Sequence, residues 1–108
     1  MSAYVAGKAV AIYPGDVVTL SAAALAGLKT SAVTVEAKCR LAINNGSAQT
    51  ATVQYSGVDA EASYQALYDE GTAITVAATK AGSFNASPGF YRVLFGGDPG
   101  ATTTTISR

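Results

Sequence analysis

The chain contains no histidine and no tryptophan, and it has a single cysteine among its 108 residues. Because histidine is the commonest general base and the commonest ligand of transition metals, its absence excludes Ser-His-Asp and Cys-His sites in their usual forms. Cys39 alone cannot form an intramolecular disulfide, and without histidine it cannot complete a zinc site of the familiar kind. We therefore expect that the chain is not an enzyme and that it has no catalytic residues, no metal and no cofactor.

Charge is also scarce, since only 13% of the residues are charged and the formal net charge is zero. A typical soluble domain has about twice that share of charged residues. The seven lysines and arginines are scattered along the chain, whereas nucleic-acid-binding proteins usually show a basic patch or stripe. Hydrophobic residues make up 49%, which is too much for a disordered chain. We predict a folded protein without a nucleic-acid partner, whose weakly charged Ala/Thr surface suits contact with another protein.

Targeting and membrane signals are missing from the sequence as well. Residues 1–14 do not combine a basic segment with an apolar core, as a secretory signal would. No apolar run approaches the roughly 18 residues needed to span a bilayer. A single cysteine fits synthesis in a reducing compartment. We expect a protein that is made in a cytoplasm, has no membrane partner, and can later act in a released particle.

The strongest secondary-structure signal is the strict alternation of apolar and polar residues over residues 32–43. This period predicts one long strand with one buried face. Asn44-Asn45-Gly46 follows, and Asn-Gly favours a tight hairpin because both residues tolerate positive φ. Residues 50–55 alternate again, so we predict an antiparallel hairpin. The buried face of its first strand is expected to carry Val33, Val35, Ala37, Cys39, Leu41 and Ile43.

Further strands are predicted where apolar or β-branched residues lie between turn signals, at residues 4–13, 17–20, 63–68, 72–78, 90–95 and 101–107. Pro14-Gly15-Asp16 and Asp69-Glu70-Gly71 are predicted turns, and residues 96–100 are a predicted loop. Residues 21–29 are rich in alanine and begin with a good N-cap residue, so one or two helical turns could form there. Seven or eight short strands predict a single all-β domain over residues 1–108, an antiparallel β-sandwich of immunoglobulin-like or jelly-roll-like type.

Few side chains offer chemistry beyond packing. Cys39 lies on the apolar face of the strongest strand and is expected to be a small buried hydrophobe rather than a reactive thiol. Two pairs of carboxylates, Asp59 with Glu61 and Asp69 with Glu70, lie in turn-like segments. We expect these carboxylates to be solvated, because nothing resembles the spaced ligands of a calcium-binding loop.

The six tyrosines are notable in a chain without tryptophan. Tyr55, Tyr64 and Tyr68 fall on predicted strand faces, where core and interface positions are equally compatible with them. Residues 85–92 form a predicted corner in which a Pro-Gly pair precedes Tyr91. This corner is similar to one in immunoglobulin-like sandwiches, where a tyrosine hydroxyl bonds back to the backbone. The corner favours a sandwich and does not indicate a function.

Four short segments between residues 48 and 95 follow one another in a recognisable order: Ala51-Thr-Val-Gln-Tyr55, Tyr64-Gln-Ala-Leu-Tyr68, Asp69-Glu-Gly71 and Pro88-Gly-Phe-Tyr-Arg92. In this order they resemble small virion proteins of tailed bacteriophages. The resemblance implies a small β-sandwich that decorates or cements a capsid, or that sits in the head–tail region. It implies a location in the virion after synthesis in the host cytoplasm, and it carries over no catalytic residues.

The leading hypothesis is a capsid decoration (cement) protein. Its expected partners are the major capsid protein or other virion proteins, and it is expected to be a homo-oligomer or bound to the capsid lattice. One alternative is a head–tail connector or tail component. Another is a glycan- or receptor-binding β-sandwich module with Tyr13, Tyr68 or Tyr91 as a ligand platform. The threonine-rich residues 102–105 could pair with a neighbouring chain or form the last strand of their own sheet.

Overall fold

The computed structural model describes residues 9–20, 29–58, 60–97 and 103–108, and in them it contains twelve β-strands and one 3-10 turn at Glu61–Ser63. Seven of these strands have three or more residues, and the others have two. In chain order the strands are β1 (Val10–Ala11), β2 (Val17–Leu20), β3 (Val33–Val35), β4 (Cys39–Asn45), β5 (Ala51–Ser56), β6 (Gln65–Ala66), β7 (Tyr68–Asp69), β8 (Thr72–Ala73), β9 (Thr75–Val76), β10 (Ala81–Ala86), β11 (Gly89–Phe95) and β12 (Thr104–Ser107).

The strands form two principal sheets and one small hairpin. The first sheet has the order β1-β3-β11-β5-β6, with β9 also paired to β5. The second sheet has the order β10-β4-β12-β2, and β7 pairs with β8 in the hairpin. Every pairing is antiparallel except that of β1 with β3. The expectation of an all-β protein is therefore confirmed, and the packing of the two sheets against each other is that of a β-sandwich.

One hydrophobic core lies between the two sheets, because each strand turns alternate side chains inward. In β4, for example, Leu41 and Ile43 are buried while Arg40, Ala42 and Asn44 are exposed. Cys39 packs against the same core, but it is half-buried and not buried as predicted. The fully buried aliphatic side chains of this core include Ile12, Val33, Leu41, Ile43, Val53, Val93 and Ile106.

The prediction of one unbroken strand over residues 32–43 is wrong. β3 belongs to the first sheet and β4 to the second, and the exposed residues 36–38 connect them. Ala37, which was expected on the buried face, is exposed. The alternation continues across this break because the inner faces of both sheets point into the same core. A chain that crosses from one sheet to the other can therefore keep its period of two.

The predicted hairpin at residues 44–46 is also wrong, because β4 pairs with β10 and β12 while β5 pairs with β11. Here the chain crosses between the sheets around a buried Asn45 side chain. Its Nδ2 donates to the carbonyl oxygens of Gln49, at 2.8 Å, and Val76, at 3.1 Å. Its Oδ1 accepts bonds from the N–H and hydroxyl of Ser47, at 3.0 and 2.7 Å. The bond to Val76, 31 residues away in the sequence, ties this crossover to a distant segment, which a local turn signal does not indicate.

Several other predicted segments are confirmed in outline. Residues 17–20, 50–55 and 90–95 correspond to β2, β5 and β11. The predicted turn before residue 72 joins β7 to β8, with positive φ at Glu70 (52°) and Gly71 (82°). Residues 72–78 contain the two short strands β8 and β9 instead of one strand. The turn at residues 14–16 is present, and it connects β1 of the first sheet to β2 of the second.

Residues 63–68 differ from the prediction. They are divided between the end of the 3-10 turn, β6 and the start of β7. A single strand over residues 63–68 would place Tyr64, Ala66 and Tyr68 on one face. Tyr64 is buried, whereas Ala66 and Tyr68 are exposed, so this common face does not exist. Of the strand predicted at residues 4–13, residues 9–13 are described, and among them only β1 (Val10–Ala11) is a strand. Residues 21–28, most of the predicted helical segment, and residues 98–100 of the predicted loop lie outside the described residues.

The end of the chain is an interior strand. β12 pairs with β4 on one side and with β2 on the other, so it cannot also pair with a neighbouring chain. Of the two alternatives for the threonine-rich segment, the last strand of its own sheet is the one observed.

Beside β12, Arg108 forms an ion pair with Glu36, whose carboxylate oxygen is 2.9 Å from the guanidinium. This ion pair lowers the pKa of Glu36.

The predicted tyrosine corner is present before β11. The Tyr91 hydroxyl donates to the carbonyl oxygen of Ser87, at 2.7 Å, and accepts from the Ser87 N–H, at 2.8 Å. Tyr91 is buried in the core, and burial raises the pKa of its hydroxyl to about 12. Phe90 packs on the opposite side of the sheet, against Ala32 and Tyr64.

Candidate functional site

The described residues contain no group of three or more histidine, cysteine, aspartate or glutamate side chains that could hold a metal ion. Asp69 and Glu70 are exposed at the β7–β8 turn, as expected for solvated carboxylates. The other carboxylates considered in the sequence, Asp59 and the side chain of Glu61, lie outside what the structure describes. The features of these residues that can support a function are therefore binding surfaces.

A groove with a volume of about 250 Å³ lies beside β10, and we call it the edge groove. Its apolar lining consists of Leu67, Ile74 and Phe84, and its polar lining consists of Arg40, Tyr68, Asp69, Ser83 and Asn85. Ser83 and Asn85 extend from the outer face of β10, whereas Phe84 extends from its inner, buried face. Because side chains from both faces of β10 line the groove, the groove follows the edge of that strand.

Strand pairing brings the polar side chains of the groove together. Asn85 of β10 lies directly opposite Arg40 of β4, and Ser83 lies opposite the next outward residue of β4. Residues on one face of an antiparallel pair are close enough to interact directly or diagonally. The β7–β8 hairpin contributes the other wall, where Tyr68 is 62% exposed. A large, exposed aromatic ring and a guanidinium group thus line the same groove.

The guanidinium of Arg40 is held in place by two neutral side chains. Its Nε and Nη2 donate to the hydroxyl of Ser83, at 3.2 and 2.9 Å, and its Nη1 donates to Oδ1 of Asn85, at 3.0 Å. Three of its five N–H groups are used in this way, which leaves two for a ligand. Neither partner carries a charge, so the positive charge of Arg40 is oriented but not neutralised by them.

A second arginine, Arg92, provides the contrast on the first sheet. It is 2% exposed, its Nε donates to Oε1 of Gln54 at 2.7 Å, and its guanidinium carbon lies 4.0 Å from the centre of the Tyr64 ring. The chain that follows β5 brings Tyr64 over this arginine. Arg92 is consequently part of the packing on the outer side of the first sheet and is not accessible to a ligand.

The two lateral edges of the sandwich are open among the described strands. β1 and β2 lie at one edge, joined by the turn at residues 14–16, and each has one partner strand. β10 lies at the other edge and pairs with β4 alone. Large apolar side chains are exposed at both: Val10, Tyr13 and Val17 at the β1–β2 edge, and Tyr68 in the edge groove.

The structure does not bring together the three tyrosines considered as a ligand platform. Tyr91 is buried, and the exposed Tyr13 and Tyr68 lie at opposite lateral edges. Of the tyrosines that suited either core or interface, Tyr64 is buried, Tyr55 is half-buried against the core, and Tyr68 is exposed. The edge groove was not predicted. Its only sequence signal is that Arg40 and Asn85 occupy the polar side of alternating segments, which does not reveal that the two segments pair.

Comparison with known proteins gives no relative: no family model, no curated protein and no solved structure matches this chain. Within the described residues there is also no helix long and apolar enough to cross a membrane.

Proposed function

We propose that this chain is a structural protein of a tailed-bacteriophage virion, and that it decorates the head by non-covalent contacts with the capsid. The observation that carries the proposal is the pair of lateral edges that no described strand covers, each with large apolar side chains exposed to solvent. The order of sequence segments that resembles small virion proteins is a separate source of support.

The strands at these edges contain neither a charged residue nor a proline. Natural proteins commonly place a proline, a lysine or another charged residue in an edge strand to prevent association with other chains. β1, β2 and β10 have the sequences Val-Ala, Val-Val-Thr-Leu and Ala-Gly-Ser-Phe-Asn-Ala, without a charged residue or a proline. Val17 in β2 is 67% exposed. Such edges are suited to being covered in an assembly.

Two different edges allow one molecule to contact two neighbours at once. The β1–β2 edge presents aliphatic side chains and Tyr13, whereas the β10 edge presents a groove with an oriented arginine. Unlike surfaces make heterologous contacts, which suit a repeating lattice. On such a lattice, many weak contacts add to strong attachment. The proposed partners are the major capsid protein or other virion proteins, and the proposed location is the virion.

A glycan-binding module is the second candidate, and one observation favours it. The exposed ring of Tyr68 stands beside the donors of Arg40 and Asn85 and the acceptor carboxylate of Asp69. An aromatic surface with a few fixed polar groups is typical of small-molecule sites. The decoration proposal has the stronger support because it uses both edges, whereas a glycan would use the edge groove alone.

The test is co-sedimentation of the purified chain with intact and emptied heads of the phage that encodes it, together with its mass in solution. The proposal predicts a monomer or trimer that binds assembled heads. Val17→Asp should weaken this binding, while Val58→Asp, a similarly exposed position (59%) that lies outside β1, β2 and β10 and does not line the edge groove, should not. A stable ring that does not bind heads would instead indicate a connector or tail component. A monomer that binds glycans but not heads would indicate the second candidate.

A further inference from the structure

The outer edge of β10 has backbone groups that no described strand uses. In an antiparallel pair, residues alternately direct their N–H and C=O groups toward the partner strand and away from it. The N–H of Asn45 donates to the carbonyl oxygen of Lys80 at 2.9 Å. In the observed register, the residues that bond to β4 are therefore Gly82, Phe84 and Ala86. Ala81, Ser83 and Asn85 direct their backbone groups outward.

The edge groove runs beside these outward-facing groups. An extended peptide that paired with β10 would place alternate side chains along the groove, because successive side chains of a strand point to opposite faces. Leu67, Ile74 and Phe84 form an apolar lining that can receive one such side chain. The exposed ring of Tyr68 can cover it from the solvent side.

Arg40 determines the charge that the groove accepts. It is bonded to the neutral side chains of Ser83 and Asn85, and no described carboxylate forms an ion pair with it. A guanidinium with two remaining N–H groups matches a carboxylate, which can accept two parallel bonds. Asp69 on the opposite wall disfavours a second negative charge nearby. The complementary ligand therefore has one acidic side chain among uncharged neighbours.

We propose that β10 and the edge groove bind an extended segment of a partner protein, which joins the second sheet as a fifth strand and places a single carboxylate on Arg40. This recognition mode, addition of a strand to an open sheet edge, derives its affinity from backbone hydrogen bonds and its selectivity from side-chain sites. The inference rests on the proposed role in virion assembly, because it names the surface and the chemistry of one of the contacts.

The direct test is titration of the isotope-labelled full chain with an end-capped peptide, Thr-Val-Glu-Val-Thr, followed by NMR of the backbone amides. We expect the amide signals of Ser83 and Asn85 to shift. The matched peptide with glutamine in place of glutamate should bind about tenfold more weakly, because a charge-assisted bond is lost. Equal binding of the two peptides, or no shift in β10, would overturn the proposal. Shifts of Tyr68 with a chitooligosaccharide but not with either peptide would also overturn it.

Two variants separate the two parts of the site. Arg40→Gln should bind both peptides equally. Ser83→Pro should bind neither, because it removes an outward N–H that β4 does not use as well as the hydroxyl that orients Arg40. The loss of binding beyond that of Arg40→Gln then reports the backbone bond, and a retained Tm would show that the fold is intact. Lys80→Gln removes the same charge as Arg40→Gln but does not line the groove, so it should behave like the wild type.

Co-sedimentation with heads distinguishes failure of this inference from failure of the proposed function. If the wild-type chain binds heads and both groove variants bind equally well, decoration stands and the contact at β10 is wrong. If the wild-type chain does not bind heads, the proposed function fails, and the peptide titration decides the inference by itself.

Discussion

The outer faces of the two sheets each carry an outward-facing arginine, but the two arginines have opposite surroundings. On the first sheet, Arg92 is buried under Tyr64 and bonded to Gln54. On the second sheet, Arg40 is exposed and bonded to two short polar side chains of the neighbouring strand. The two residues have the same chemistry and a similar place on a strand. What differs is whether another part of the chain lies over them.

This difference separates polar residues that stabilise the fold from those available for binding. A buried polar group needs its partners, because losing one leaves an unsatisfied group away from water. An exposed polar group can exchange its hydrogen-bond partners for water at little cost in free energy. The same contrast exists between Asn45 and its neighbour Asn44, and between Tyr91 and Tyr68. Each pair provides a matched experiment.

The largest difference is expected between the two arginines. Arg92→Ala should lower the free energy of unfolding by about 3 kcal/mol, because it removes a buried ring contact and leaves Oε1 of Gln54 without its donor. Arg40→Ala should lower it by less than about 0.5 kcal/mol. Urea denaturation of both variants measures the difference. If the two variants lost similar amounts of unfolding free energy, the difference in burial would not explain how much each arginine stabilises the fold.

The two asparagines should differ by a smaller amount. Asn45→Ala removes a side chain that bonds the crossover at Gln49, Val76 and Ser47. We expect it to lower the free energy of unfolding by about 2 kcal/mol. Asn44→Ala, an exposed position on the same strand, should have little effect. If Asn44→Ala were the more harmful change, the crossover would not depend on the buried amide.

The smallest difference is expected between the two tyrosines. Tyr91→Phe should lower the free energy of unfolding by about 1.5 kcal/mol, because it removes both bonds to Ser87. Tyr68→Phe should leave it unchanged, since that ring is exposed. Thermal unfolding of the two variants at neutral pH is the measurement.

Tyr91 also predicts a dependence on alkaline pH. Burial raises the pKa of its hydroxyl from 10.0 to about 12. Its contribution to the free energy of unfolding is therefore complete below pH 10. The contribution decreases between pH 10 and 12, where the unfolded chain releases the proton and the folded chain retains it. Stability should fall less steeply over this range in Tyr91→Phe than in the wild type. Equal slopes would mean that the folded-state pKa is not raised.

The sequence predicts which side chains of a strand point into the core better than it predicts which strands pair with one another. The inward positions of Val33, Val35, Leu41 and Ile43 follow from a period of two, which depends only on neighbouring residues. The sheet to which each strand belongs depends on pairings between distant segments. The crossover at Asn45 depends in the same way on Val76, 31 residues further along the chain. A local Asn-Gly signal contains no information about such a bond.

The edge groove was beyond sequence reasoning for the same reason. Arg40 and Asn85 are 45 residues apart in sequence, and they meet only because β4 pairs with β10. The tyrosine corner was predictable, in contrast, because all its groups lie within four residues. Features built from local contacts were predicted, and features built from strand pairing needed the structure.

Amide hydrogen exchange of the free and head-bound chain is the measurement that tests the open β10 edge most directly. In the free chain, the outward N–H groups of Ser83 and Asn85 should exchange quickly, and those of Gly82 and Phe84 slowly, because only the latter bond to β4. Binding to heads should slow exchange at Ser83 and Asn85. Exchange at these two amides that stays fast while the chain is bound would contradict the account.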